Sequence, residues 1–158
     1  MTAPAAPTGD ITLIFDPVTC TFDFGIDPGG YDIATGNDLE TAVAICLFTD
    51  ARADPDFVPP DGSGDLRGWW GDTYSPTPWG SLLWTFDRAA ISDQQETLRG
   101  IERAAVTALQ PLVTDSVIAT ATATASYLGQ GVVELVVQVT QPGSNQPQTF
   151  KWAWDTVT

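Results

Sequence analysis

Asp54-Pro55-Asp56 and Asp61-Gly62-Ser63-Gly64-Asp65 crowd four carboxylates into one short stretch rich in proline and glycine. Oxygen ligands spaced around a glycine turn are what a calcium ion takes. The spacing is not that of a helix–loop–helix calcium site, and Pro59-Pro60 interrupts it. The expectation is a solvated acidic loop and no metal. The chain holds 20 Asp and Glu, 6 Lys and Arg and no histidine, for a net charge of −14. Without histidine there is no Ser-His-Asp triad and no Cys-His dyad. No glycine-rich run leads into Lys-Ser or Lys-Thr, so no phosphate cradle is present. Cys20 and Cys46 with no histidine cannot supply four ordinary zinc ligands. They read as small buried hydrophobes of a chain assembled in a reducing cytoplasm. Glycoside hydrolysis asks only for two carboxylates beside an aromatic sugar platform. A peptidoglycan-directed glycoside hydrolase or a carbohydrate-binding β-module therefore stays as the alternative. The main expectation is no enzyme, no catalytic residue and no cofactor.

Recognition chemistry is more concentrated. Leu66-Arg67-Gly68-Trp69-Trp70-Gly71-Asp72 and Gly80-Ser81-Leu82-Leu83-Trp84-Thr85-Phe86-Asp87-Arg88 hold three of the six tryptophans and two of the six basic residues. A Trp ring carries roughly 150–250 Å² that wants burial, so such a loop either folds over its own core or meets a partner. Trp and Arg also dominate protein–protein hot spots. Arg52, Arg67, Trp69, Trp70, Trp84, Asp87 and Arg88 are the interface candidates here. Phe150, Trp152 and Trp154, alternating in the last strand, complete the set. Clustered Lys and Arg are missing, which argues against nucleic acid and against an anionic membrane surface. No apolar run reaches the ~20 residues that cross a bilayer. Residues 1–8 lack a signal-peptide pattern and read as a flexible or partner-bound tail, with residues 9–158 as one domain.

The elements that must position these side chains follow from periodicity. Ile11, Leu13 and Phe15 alternate, then Cys20, Phe22, Phe24 and Ile26, around Asp16-Pro17-Val18-Thr19, which predicts a β-hairpin. Asp27-Pro28-Gly29-Gly30 is a turn, and Tyr31 with Ile33 suits a short strand. A helix opens near Asn37, where Asn37 and Glu40 have capping-box spacing, and stops at Thr49-Asp50. Residues 51–80 exclude helix or a long strand. Ser81–Phe86 suits a short strand or extended rib. A second helix opens at a Ser92/Gln95 box and ends or kinks near Gln110, before Pro111. Three antiparallel strands follow: Ile118–Tyr127, one carrying Val133, Leu135, Val137 and Val139, and one carrying Phe150, Trp152 and Trp154. The sum is an α+β fold. Its predicted core is Leu13, Phe15, Phe22, Phe24, Leu39, Val43, Leu47, Leu98, Ile101, Leu109, Leu135 and Val137.

Several spaced blocks also resemble a known family. Leu39-Glu40-Thr41-Ala42-Val43, Leu47-Phe48-Thr49-Asp50-Ala51-Arg52-Ala53, Arg67-Gly68-Trp69-Trp70-Gly71-Asp72 and Gly80-Ser81-Leu82-Leu83-Trp84 with Arg88 resemble the small baseplate wedge protein of Mu-like contractile-tailed phages. That family is related to the T-even wedge protein and is often labelled lysozyme-like, a label these residues do not support. The resemblance implies a non-enzymatic virion component, six copies per tail baseplate, assembled in the host cytoplasm. It implies other wedge proteins, the tail sheath and hub or tube proteins as partners. In the wider family a Glu-Pro-Arg motif anchors neighbouring wedge subunits. The corresponding position here reads Phe86-Asp87-Arg88, with the proline missing and Asp in place of Glu. The three C-terminal strands resemble the joining domain of the sheath subunit, which implies a starting point for sheath assembly through an open sheet edge.

Overall fold

The computed structural model describes residues 9–16, 18–19, 21–27, 33–59, 62–74, 78–86, 94–129 and 131–155, and the chain divides into two compact units, residues 1–44 and 45–158. The architecture is α+β, with an N-terminal hairpin, two main helices and a C-terminal three-stranded antiparallel sheet. The expected tail at residues 1–8, Cys20, the Asp27–Gly30 turn beyond Asp27, Tyr31 and Ser92 lie outside the described residues.

In the N-terminal unit, β1 (Leu13–Asp16) pairs with β2 (Thr21–Phe24) in the register Leu13–Phe24 and Phe15–Phe22. The Phe15 and Phe22 rings meet with centroids 5.1 Å apart. Asp16 organises the turn by accepting the Val18 backbone N–H and the Thr19 hydroxyl, both at 2.8 Å. A third segment joins through Ile33, which bridges Ile26, and Thr35, which bridges Ile11. There Thr12 N–H donates to Ala34, Ala34 N–H to Gly25 and Gly25 N–H to Thr12, each at 2.8 Å, closing a ring of three backbone bonds. A Cβ at Gly25 would sit 3.2 Å from the Ala34 Cβ and 3.3 Å from the Thr12 oxygen, so only a hydrogen fits comfortably. The predicted core is corrected at Phe24, which is 56% exposed. A short ribbon has too few neighbours to cover both ends of its apolar row.

Helix α1 spans Asp38–Phe48, and its first intrahelical bond runs from Thr41 N–H to the Asn37 oxygen. The Asn37 amide donates to the Glu40 carboxylate at 3.4 Å. Asp38 and Glu40 in the first turn favour the positive end of the helix dipole. Val43 and Leu47 are fully buried, and the Thr41 hydroxyl donates to the Ile11 oxygen at 2.8 Å.

In the C-terminal unit the chain first runs through a long irregular segment with two short 3₁₀ turns, Trp70–Tyr74 and Leu83–Phe86. The strand expected over 81–86 is thus a 3₁₀ turn, except that Ser81 forms an isolated parallel bridge with Asp50. The Ser81 hydroxyl accepts the Leu83 N–H at 3.1 Å, and the Leu82 oxygen accepts the Thr85 N–H at 3.1 Å. Those local bonds curl the segment before it can extend. Helix α2 (Gln94–Ala108) stops just short of Leu109, and α3 (Gln110–Thr114) follows directly. Pro111 ends α2 as expected and also starts α3, because a missing N–H costs nothing in a first helical turn.

The meander comprises β3 (Thr120–Tyr127), β4 (Val132–Thr140) and β5 (Gln148–Asp155), in that spatial order. Val133, Leu135, Val137 and Val139 are all fully buried on one face of β4. Their neighbours are small on one side, Ala125 opposite Leu135 and Ala123 opposite Val137, and large on the other, Trp152 opposite Leu135 and Trp154 opposite Val133. The alanine wall lets α2 pack closely on β3, where α2 buries Ile101 and Ala105 completely.

Candidate functional site

Arg67 is the centre of the irregular segment. Its φ is +49°, a left-handed conformation that an L side chain adopts only when its surroundings hold it there. Three interactions do so. Its N–H donates to the Asp65 carboxylate at 2.8 Å. Its guanidinium meets Asp50 at 2.9 Å. The same guanidinium lies 4.6 Å from the centroid of the Trp84 ring, a cation–π distance. Trp84 is only 6% exposed; its indole N–H donates to the Ala51 oxygen at 2.8 Å, and Phe57 meets its ring edge-on at 5.7 Å. Beside them Ser81 ties the loop to the end of α1. Its N–H donates to Thr49, its oxygen accepts from Ala51, and its hydroxyl donates to the Leu47 oxygen.

The interface candidates therefore divide. Arg67 and Trp84 are spent on this chain's own packing. Trp152 and Trp154 are 3% and 8% exposed, and Phe48 meets both rings edge-on at 5.5 and 6.4 Å. As exposed aromatic anchors these three tryptophans are corrected: Trp84 is enclosed by Phe57 and Arg67, and period-two alternation puts Trp152 and Trp154 on one face of β5, the buried one. A flat sugar platform on Trp152 and Trp154 is excluded by the same burial. Trp70 is the opposite case, 76% exposed with its ring stacked at a tilt on Trp69, which is 40% exposed. Tyr74, at 84%, extends the same 3₁₀ turn into solvent. Arg52 is exposed, and among the described residues its guanidinium reaches only the Arg67 oxygen, at 3.5 Å. Phe150 is half-buried, 6.0 Å from Trp152. Asp87 and Arg88 lie outside the described residues.

The acidic loop uses its carboxylates on itself: Asp54 accepts the Asp56 N–H at 2.9 Å, and Asp65 accepts the Arg67 N–H. Among the described residues no three His, Cys, Asp or Glu side chains converge as metal ligands, and no helix is long and apolar enough to cross a membrane. Burial pushes the Cys46 thiol up to about 11, which keeps it protonated and unreactive at neutral pH.

The two outer edges of the meander are not equivalent, and the residue that makes the difference escaped the sequence reading. Glu102, a charged residue next to the core Ile101 in α2, turns to the outer edge of β3 and accepts the Ala125 N–H at 3.0 Å. The clue available in the sequence was only its position one residue after the core Ile101. Ala125 directs its N–H away from β4, so its partner Leu135 turns its own groups toward Trp152. By the same alternation Thr149, Lys151 and Ala153 direct theirs away from the sheet. Among the described residues no hydrogen bond reaches the backbone of β5 from that side.

A family model described as "Phage protein GP46" matches residues 39–146. The chain belongs to that family. Every residue block that carried the resemblance to Mu-like baseplate proteins falls inside the matched span. The chain is also 42% identical to a protein of Escherichia phage Mu named "Baseplate protein gp46", over 130 residues that cover 81% of this chain and 88% of the relative. The GP46 match takes in α1, the Arg67–Trp84 cluster, α2 and α3, and β3 and β4. That span contains the structured parts of the C-terminal unit except β5.

Proposed function

We propose that the chain is a non-enzymatic structural component of a contractile-tail baseplate wedge in the virion. In this reading residues 9–158 act as one wedge domain. The chain links neighbouring wedge subunits through Arg52, the exposed Trp69–Trp70 turn and the Asp87–Arg88 position. It offers the tail sheath a starting point at the outer edge of β5, and six copies surround the tube. The baseplate role is supported by the Mu relative's name and by identity over most of both chains. The sheath-starting role is supported by one observation above all. Glu102 takes the outward N–H of the β3 edge at Ala125, whereas among the described residues no hydrogen bond reaches the outward backbone groups of β5 around Lys151. An unpaired edge is what an added strand requires, and a lysine there discourages pairing with the wrong chain before assembly.

The decisive experiment is Lys151→Pro in the intact phage or tail particle. Proline removes the outward N–H of an edge strand without touching the ladder to β4. The expected result is a purified chain with unchanged far-UV circular dichroism that still enters baseplates, while sheath assembly on those baseplates fails. Normal sheathed tails carrying Lys151→Pro would overturn the proposal.

A further inference from the structure

A cavity of about 830 Å³ opens in the C-terminal unit between the 78–86 segment, α2 and α3. Its apolar wall comes from Pro78, Trp79, Leu82, Phe86, Ala104 and Pro111. Leu82, a leucine 41% exposed, stands in it. Arg52 and Arg103 line the same space, two of the six basic residues in a chain of net charge −14. Asp115 is the acidic residue of the lining.

Neither arginine is committed to this chain. The contact of Arg52 with the Arg67 oxygen, at 3.5 Å, is at the outer limit of a hydrogen bond. Arg103 pairs with Glu96 at 3.0 Å, but the two side chains are 69% and 61% exposed, so water screens the pair and a better-placed carboxylate can replace it. The wall behind Arg52 is fixed in advance. The Ala51 N–H donates to the Ser81 oxygen and the Ser81 N–H to the Thr49 oxygen, and Gly80, at φ +104°, presses against the Thr49 oxygen where no side chain fits.

We propose that this cavity receives a segment of a different baseplate protein in which an apolar side chain stands next to a carboxylate. The apolar group seats against Trp79, Leu82 and Phe86, and the carboxylate bridges Arg52 and Arg103. Charge complementarity selects this occupant. A molecule so acidic repels an acidic segment over most of its surface, and here it presents two guanidinium groups, whose planar forks match carboxylate geometry, beside an apolar wall. The proposal rests on the reading that the chain works by fitting between other baseplate proteins.

The test places a photoreactive amino acid at Thr107, an exposed lining residue, in assembled tails. A second set of tails carries it at Thr149 on the outer edge of β5. The expected Thr107 product joins another baseplate chain at a peptide holding Asp or Glu beside Leu, Ile, Val, Met or Phe. Arg52→Glu with Arg103→Glu should cut its yield at least ~10-fold, as loss of a desolvated ion pair does. The Arg52→Lys/Arg103→Lys pair should keep most of it. Both arginines are exposed, so the charge reversal should leave the melting temperature unchanged; if it does not, the composition of the cross-linked peptide decides alone. A product with a second copy of this chain, a peptide lacking a carboxylate, no product, or indifference to charge reversal in a folded variant each overturns the proposal. A Thr149 product with none at Thr107 sinks the cavity and leaves the wedge reading standing. Silence at both positions in tails that contain the protein sinks both.

Discussion

The hairpin β1–β2 and the meander β3–β5 carry the same two-residue alternation, and they end in opposite conditions. In the meander, Val133, Leu135, Val137 and Val139 lose all contact with solvent, and Trp152 and Trp154 nearly all. In the hairpin region, Phe24, Ile26 and Ile14 remain 56%, 61% and 55% exposed. Alternation says which side chains share a face; it does not say whether anything covers that face. Coverage comes from a third strand and a helix, both of which the meander has, with β5 beside β4 and α2 on β3. The hairpin gains cohesion another way, through the backbone ring of Thr12, Gly25 and Ala34 and the side-chain bonds of Asp16. One region is held by apolar packing, the other mainly by hydrogen bonds.

The largest test of that contrast compares Trp152→Ala with Phe24→Ala. Removing a fully buried Trp costs about 3–5 kcal/mol, transfer and cavity terms together. Trimming a half-exposed Phe should cost under ~1 kcal/mol, because most of its surface never left water. Urea denaturation of the two variants, followed by far-UV circular dichroism, measures both. Equal losses would break the comparison, since the hairpin would then rest on packing as heavily as the meander does.

How much of this was legible in the sequence follows the same division. The buried face of β4, the two main helices and the break at Pro111 are periodic or local signals, and they were readable. α3 was not, because proline reads as a stop and only the following turn shows that it is also a start. The extended rib expected at 81–86 gave way to the hydrogen bond that the Leu83 N–H donates to the Ser81 hydroxyl, a local competition that hydropathy does not record. The functional candidates fared worse. Which side of the Trp152–Trp154 row faces inward depends on what covers it, Phe48 among others, and not on β5 itself. The role of Arg67 depends on Asp50, 17 residues earlier, and on a ring 17 residues later. The role of Glu102 depends on a strand edge 23 residues away. Contacts of that range have no signature in spacing, and they decide which residues are free to meet a partner.

A middle-sized effect probes how tightly the meander's covering helix is seated. Gly100 in α2 is buried, and a Cβ there would lie 2.6 Å from the Phe86 ring. Ala is the better helix former by about 1 kcal/mol, while overpacking a seated ring costs about 1–3 kcal/mol. Gly100→Ala should therefore destabilise, by roughly 1 kcal/mol net. In a Phe86→Leu background the ring is gone, and the same Gly100→Ala change should stabilise instead. The four proteins form a thermodynamic cycle readable by thermal denaturation. Simple additivity would show that Phe86 does not rest on Gly100 and that α2 is loosely seated.

The smallest effect sits in the hairpin and tests whether hydrogen bonds really hold it. The Val18 backbone N–H first, and the Thr19 hydroxyl second, stabilise the charged Asp16 carboxylate and lower its pKa from the usual 3.8. A carboxyl lowered in the folded state contributes stability that is fully present above 3.8 and is lost as pH falls through its folded value. Asp16 is fully exposed, so the contribution is modest and screened by salt. The Asp16 side-chain carbon, followed by NMR, should titrate with a midpoint below 3.8, and the amide signals of Val18 and Thr19 should shift with the same midpoint. Asp16→Asn should abolish that shared transition and leave the amides of β4 untouched at every pH. A midpoint at or above 3.8 would mean that the turn is not closed around an ionised Asp16. The register of the hairpin would then have to come from the backbone ring of Thr12, Gly25 and Ala34 and from the Phe15–Phe22 contact, without the turn.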